Sequence, residues 1–374
     1  MKKKRIIKLS SVFPWLAALT LSAGCLGPAS IYSLRDLDTY LDETLTDEDR
    51  ELCGVPYVIN DEIAEYARRV TRYQRSDYDK AVSLVDHIVD QTKLNISYSN
   101  DATKTAEAVF YEGQANCLSY TSLFVGMARS TGMDAVFVDV TAVQSLSDEG
   151  EVMVHNGHIC AGVFHSNSFV LIDFAPDPTR KYTNYRVIDD VEATANFYNN
   201  LGYERSKHYT KADFDAGLDE DIRYYRAALK LKPDFAKAIN NLGVAYARRN
   251  EVEKARAMYQ KAVDYQRNFA AAYGNLATLY YRNNEYGKAI AAYKQAIKFT
   301  NNDYYYFHQL GMNYLALHNY PEAEKSFRRA LKRKPSYYDA LHGLAIALTF
   351  QNHRSEAEAL MAQAALLKEQ DAAP

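Results

Sequence analysis

Tryptophan is nearly absent from this chain of 374 residues: there is one, beside only 4 cysteines, 7 methionines and 9 prolines. Four cysteines are too few for a disulfide scaffold, and 9 prolines with 16 glycines exclude a collagenous chain. At 48 % hydrophobic and 24 % charged, the composition is that of a globular protein, neither disordered nor polytopic. The length suggests two or three domains, each able to bury a core. Tyrosine is abundant instead, at 31 residues, with most of the clustering in the second half.

Charge of one sign is also missing locally. Residues 1–25 contain five Lys and Arg and no acid, residues 26–233 balance to −14, and residues 234–369 to +7. An acidic half followed by a basic half is not a nucleic-acid signature, so no nucleic-acid partner is expected. It points to domains with different partners, or to domains that attract each other.

The basic cluster Lys2–Arg5 precedes an apolar run, Val12–Gly24, broken by Pro14, Thr20 and Ser22. Such a run is shorter than the ~20 residues a spanning helix needs and has the form of a secretory signal. The stretch Leu21-Ser22-Ala23-Gly24-Cys25 resembles a bacterial lipoprotein box, with Ser22 where that family usually has Leu and Leu21 one position further back. The resemblance implies cleavage before Cys25 and lipid on its thiol, a membrane partner. Leu26, in place of an aspartate, implies an outer-membrane anchor facing the periplasm. Without the box the stretch is a plain secretory signal. Residues 26–60 read as a tether and lead-in.

The C-terminal part repeats itself every 34 residues. Leu242, Leu276, Leu310 and Leu344 keep that step, as do Ala255, Ala289, Ala323 and Ala357, and Ala262, Ala296, Ala330 and Ala364. Large side chains follow at Tyr259, Tyr293, Phe327 and Met361, and Gly243, Ala277, Gly311 and Ala345 leave room for close helix pairs. This pattern resembles the tetratricopeptide repeat and implies an all-α superhelix over residues 196–369, one irregular repeat preceding four regular ones. The stripe tyrosines are expected in the core. By register Lys237, Asn240, Arg248, Tyr281, Arg282, Tyr305 and His308 fall where such arrays point into their groove. There they would recruit a protein or peptide partner; the alternative is a solvated helix face.

Candidate chemistry lies in residues 61–195. The spacing of Ala81, Leu84, Val85, Ile88 and Val89 predicts an amphipathic helix over 79–91. A second helix starts near Thr103, and a third continues from Cys117 to Thr131. Strands are expected at 135–140, 158–164 and 168–173. The order Cys117, His158, Asp173, with Gly113, Asn116-Cys117, Ala128–Met133, Gly157-His158 and Leu171-Ile172-Asp173, resembles the transglutaminase-like superfamily, relatives of papain-type cysteine enzymes. The resemblance implies an α+β domain in which a helix-borne cysteine packs on an antiparallel sheet. In it Cys117 is the nucleophile, His158 the base, Asp173 the orienting carboxylate, and Gln114 a candidate oxyanion donor.

Other readings stay open. Cys117 could be a core cysteine, His155 the working base, and Asp177 a rival to Asp173. Cys53 and Cys160 could be bonded or remain thiols. The spacing of His155, His158 and Cys160 matches no common zinc site, so neither metal nor cofactor is expected. Function therefore reads as thiol-dependent hydrolysis of a peptide or isopeptide bond. Amine transfer or an inactive scaffold with the same fold are the alternatives.

Overall fold

The computed structural model describes residues 19–22, 34–52, 54–140, 145–149, 152–156, 158–165, 168–174, 185–205, 214–300 and 304–371. Cys25, Cys53, Gly157 and Asp177 lie outside the described residues. The chain divides into two compact units, residues 1–145 with 156–238 and residues 146–155 with 239–374.

The first unit opens with β1 (Leu19–Ser22) and helices α1 (Leu34–Thr44), α2 (Asp47–Leu52), α3 (Asp61–Thr71) and α4 (Asp77–Val89). Asn60 and Ser76 cap α3 and α4, their side chains accepting from the Ile63 and Asp79 N–H groups. The stripe Ala81, Leu84, Val85 and Ile88 is buried, which fixes the face α4 turns inward. Then come β2 (Ser97–Tyr98), α5 (Ala106–Glu112), β3 (Gln114–Ala115), α6 (Cys117–Ser130) and β4 (Ala135–Asp139). In chain order a two-stranded sheet of β5 (Ser145–Glu149) and β6 (Val152–Asn156), whose residues 146–155 count with the second unit, precedes β7 (Ile159–His165), β8 (Ser168–Ile172), β9 (Arg186–Ile188), α7 (Asp190–Arg205) and α8 (Phe214–Leu231).

The main sheet has the order β1-β8-β7-β4-β9, every neighbouring pair antiparallel. Its residues alternate between two cores, as the two-residue period of a strand requires. Phe137, Ala161, Val163, Val170 and Ile172 join the helices, α6 among them, whereas Val136, Val138, Cys160, Phe169 and Leu171 form a smaller cluster. A Cβ on Gly162 would stand 2.2 Å from the Phe169 ring, so only glycine lets that ring cross the strand. Helix α6 is buried from Leu118 through Ala128. That explains its lack of an amphipathic pattern: a helix enclosed on all sides has no solvent face to keep polar.

The second unit holds the regular helix pairs, α9 (Ala236–Arg248) with α10 (Val252–Tyr265) and α11 (Ala270–Arg282) with α12 (Tyr286–Phe299). They continue as α13 (Tyr304–Ala316) with α14 (Tyr320–Leu331) and α15 (Tyr338–Phe350) with α16 (Arg354–Asp371). The leucine series and both alanine series at 34-residue steps are buried. At Gly243 a Cβ would meet the Tyr259 ring at 2.7 Å, so the glycine seats that ring against α9. Each regular pair turns through a left-handed residue, Asn250, Asn284, His318 or Asn352. Three of these are asparagine, which tolerates that conformation better than most residues. The expected boundary at 195/196 falls inside α7, and α7 and α8 both lie in the first unit.

Three of the seven expected groove residues are interior. Asn240 is fully buried and accepts a hydrogen bond from Asn275 Nδ2 at 2.9 Å, and Tyr305 and His308 are buried as well. The 34-residue register assigns a helix face, but packing between repeats decides which part of that face stays open. His308 lies among the Phe327 and Tyr337 rings. Burial lowers its pKa to about 4, with Asp339 opposing weakly. A histidine depressed in the folded state contributes fully above its unfolded value near 6.5 and loses that contribution as pH falls toward 4. We expect a loss of about 3 kcal/mol over that window. Urea unfolding of full-length protein at pH 7 and near pH 4, compared with His308→Gln, measures it; an equal pH dependence in both proteins would contradict the assignment.

Candidate active site

The segment before Cys117 is held by backbone hydrogen bonds at Gly113, Ala115 and Asn116. Thr105 caps α5, and Gly113 ends it in the left-handed conformation, φ 69°. The next two residues form β3, which pairs in parallel with β2: Ser97 N–H donates to Gly113 O at 2.9 Å and Ser99 N–H to Ala115 O at 3.0 Å. Asn116 N–H then donates to Ala102 O at 3.1 Å, while its side-chain oxygen accepts from Ser119 N–H at 2.9 Å and caps α6. Cys117 is consequently the first residue of α6, at the positive end of its dipole and half-buried.

His158 and Asp173 stand at one end of the sheet, just before β7 and just after β8. Val140 N–H donates to His158 O at 2.9 Å, and Thr121 Oγ1 on α6 donates to Ile159 O at 3.2 Å, so helix and sheet are tied where the three residues meet. His158 Nε2 lies 2.8 Å from Asp173 Oδ1, with both residues buried. The Cys117 thiol hydrogen-bonds the same imidazole and accepts from Ile159 N–H. Burial pushes this thiol up, but the hydrogen bond and charge of His158 and the Ile159 amide outweigh it and bring the thiol below its ordinary value. Burial likewise disfavours the imidazolium, yet Asp173 and the two neighbouring thiols raise His158 well above its ordinary value. Both shifts run toward a thiolate–imidazolium pair.

The second of those thiols is Cys160. It is buried, unbonded to any cysteine among the described residues, and pushed up to about 11 by burial despite its contact with His158. The register Ala161↔Ile172 carries Cys160 opposite Asp173, two residues along the strand from His158. From the sequence Cys160 reads as a bonding partner, a buried thiol or one member of an unmatched zinc spacing, not as a neighbour of the His158–Asp173 pair. The two-residue period of a strand would have put it on the face of His158. His158, Cys160 and Asp173 offer donor atoms within 4.8 Å of one another, a set of soft and hard donors that could hold a metal ion. Within it His158 and Asp173 already bind each other.

Gln114 is exposed on β3, three residues before Cys117. Of His155 only the backbone is described, in β6. Arg282 is exposed, and Lys237, Arg248 and Tyr281 are half-buried.

Comparison with known proteins separates the same two regions. Residues 64–174 match the model of the transglutaminase-like superfamily, and residues 234–302 and 314–374 match models of the tetratricopeptide repeat. A protein named ycf37 from Pyropia yezoensis is 29 % identical over 83 residues, which span 22 % of this chain and 42 % of that relative. Among solved structures, a crystal structure of MamA is 22 % identical, with a TM-score of 0.40 over 44 % of this chain and 99 % of its own. YrrB, described as a TPR protein with an unusual peptide-binding site, is 20 % identical, with a TM-score of 0.40 over 47 % of this chain and 87 % of its own. A Cys/His/Asp group at the start of a buried helix and a helical array with a 34-residue period thus have one reading: the chain carries a transglutaminase-like domain over residues 64–174, followed by tetratricopeptide repeats over 234–374.

Proposed function

We propose that the first unit cleaves an amide bond of a peptide or isopeptide by thiol attack, and that the repeat array binds a protein partner or substrate. The observation behind this reading is a single imidazole held between a buried carboxylate and a thiol at a helix start. Cys117 Sγ, as thiolate, attacks the carbonyl carbon, and the carbonyl electrons move to oxygen. The free N–H of a helix's first residue faces the developing oxyanion, and the Gln114 amide supplies a second donor. Collapse expels the amine, which takes its proton from His158. Water then gives a proton to His158 and its oxygen attacks the thioester; the carboxylic acid leaves and the thiolate returns. Asp173 holds the imidazole's other nitrogen and stabilises its charge throughout.

The test uses full-length protein, a peptide carrying a thiol-reactive warhead, and amide substrates with and without added primary amine. Labelling with amine release in water supports hydrolysis. Turnover only with added amine replaces it by acyl transfer. A folded protein that no peptide probe labels is a scaffold.

In the array, exposed Arg282 and half-buried Arg248 and Tyr281 on a basic segment suit an extended acidic peptide. Arg248→Glu with Arg282→Glu should weaken binding of an acidic peptide by about tenfold or more at low salt, and added salt should weaken the wild type. Affinity indifferent to salt would contradict an electrostatic groove. Cys117 labelling should be unchanged in the double variant. We further propose Cys25 as the lipid-bearing residue, which the mass of the native N-terminal peptide tests.

A further inference from the structure

Helix α7 lies outside the segment that matches the transglutaminase-like superfamily, yet it grips α6 at both ends. At the C-terminal end of α6, Arg129 makes a two-pronged ion pair with Asp190, the first residue of α7, at 3.0 and 2.8 Å. The other grip is at the N-terminal end, one residue before the nucleophile. There Glu204, in the last turn of α7, accepts from Asn116 Nδ2 at 2.8 Å, from Thr103 N–H at 2.7 Å and from Thr103 Oγ1. Asn116 Nδ2 also donates to Thr103 Oγ1 at 2.6 Å. Thr103 and Asn116 are both buried. The other end of the same amide, Asn116 Oδ1, caps α6 through Ser119 N–H, whose hydroxyl in turn accepts from Lys104 N–H at 2.8 Å.

An asparagine amide is planar, so fixing its nitrogen fixes the direction of its oxygen. With Glu204 and Thr103 holding Nδ2, the capping oxygen stays on the first turn of α6. Cys117 is then aimed at His158 by a carboxylate that contacts neither of them. We propose that α7 is a splint for the nucleophile helix, and that Glu204 is a positioning residue for Cys117, acting through Asn116. The inference rests on the reading of Cys117 as the nucleophile.

Charge and position make opposite demands here, which gives the test its sign. Burial raises the Glu204 carboxyl above its ordinary range, and where it is ionised its charge disfavours a thiolate, so deleting that charge alone would lower the thiol midpoint and not raise it. Deleting its grip would let the thiol drift from His158 and raise the midpoint. The experiment follows Cys117 alkylation by iodoacetamide against pH in the full chain, for wild type, Glu204→Ala, Glu204→Gln and Asn116→Ser. Serine caps a helix as well as asparagine but cannot span to Glu204, so Asn116→Ser cuts the link while keeping the cap, even if Glu204→Ala fails to fold.

We expect the midpoint to rise by about one unit in Glu204→Ala and Asn116→Ser, slowing alkylation about tenfold at pH below both midpoints. Glu204→Gln keeps an acceptor for Asn116 without the charge and should stay at or below the wild-type midpoint. A depressed wild-type midpoint that stays put or falls in both Glu204→Ala and Asn116→Ser overturns the splint alone. A wild-type midpoint at or above the ordinary ~8.5 overturns the nucleophile reading and the splint together.

Discussion

Replacing Cys117 by alanine should abolish labelling by a peptide-directed thiol probe and lower amide turnover by about 10³-fold or more, whereas Cys160→Ala should keep both. The two thiols share one imidazole and differ in setting. Cys117 is half-buried at a helix start and accepts from Ile159 N–H, so its thiolate is favoured. Cys160 is enclosed beside Val136, Val138 and Phe169, and burial keeps it protonated to about pH 11. The pH profile separates them. Alkylation at Cys117 should rise through a midpoint below the ordinary thiol value and then level off; a thiol like Cys160 would still be rising at pH 10. His158→Ala removes the charge that offsets burial, so the Cys117 midpoint should move up. Labelling at Cys160 in preference to Cys117, read by peptide mass mapping, would reverse the assignment.

Arg129→Met should destabilise the fold by about 3–5 kcal/mol, toward the lower end because Asp190 sits at a helix start. The loss is large because the partner is left behind. Asp190 is 1 % exposed, and its carboxylate faces the Arg129 guanidinium, whose Nε also donates to Ala135 O at 2.9 Å. Without the arginine, a buried carboxylate loses the cation that faces it and a strand carbonyl loses its side-chain donor. Such a loss is a sizeable share of the 5–15 kcal/mol that holds a typical domain together. Urea unfolding of the full chain measures it. In Arg129→Met/Asp190→Leu, with neither charge present, most of the stability should return. A loss under about 1 kcal/mol in the single variant would mean that water reaches the pair.

The repeat array was legible because its signal is additive. Every 34 residues the same alanine must be small and the same leucine apolar, and all twelve of those positions are buried. Helix α6, the strands at 135–139, 159–165 and 168–172, and the order of Cys117, His158 and Asp173 were legible for a local reason. Cap, helix and strand each leave a mark within a few residues. The inward turn of Asn240, Tyr305 and His308 was not, since it depends on how far one repeat covers the next. The β5–β6 hairpin was also missed, its strands carrying Asp148, Glu149 and His155 instead of an apolar run. Glu204 left no mark either: a carboxylate near the end of a helix is ordinary until the fold brings Thr103 and Asn116 beneath it.

The two grips of α7 also bear on the order in which the protein is made. Asp190 and Glu204 both follow Cys117, His158 and Asp173 in the chain. A polypeptide emerging N-terminus first therefore exposes Cys117 before either grip can form. In the splint proposed above, Cys117 stays an ordinary thiol until residue 204 is out and α7 has closed on both ends of α6. On the proposed reading of Cys117 as the nucleophile, this order would spare the nascent chain from attacking neighbouring amides while it is still unfolded.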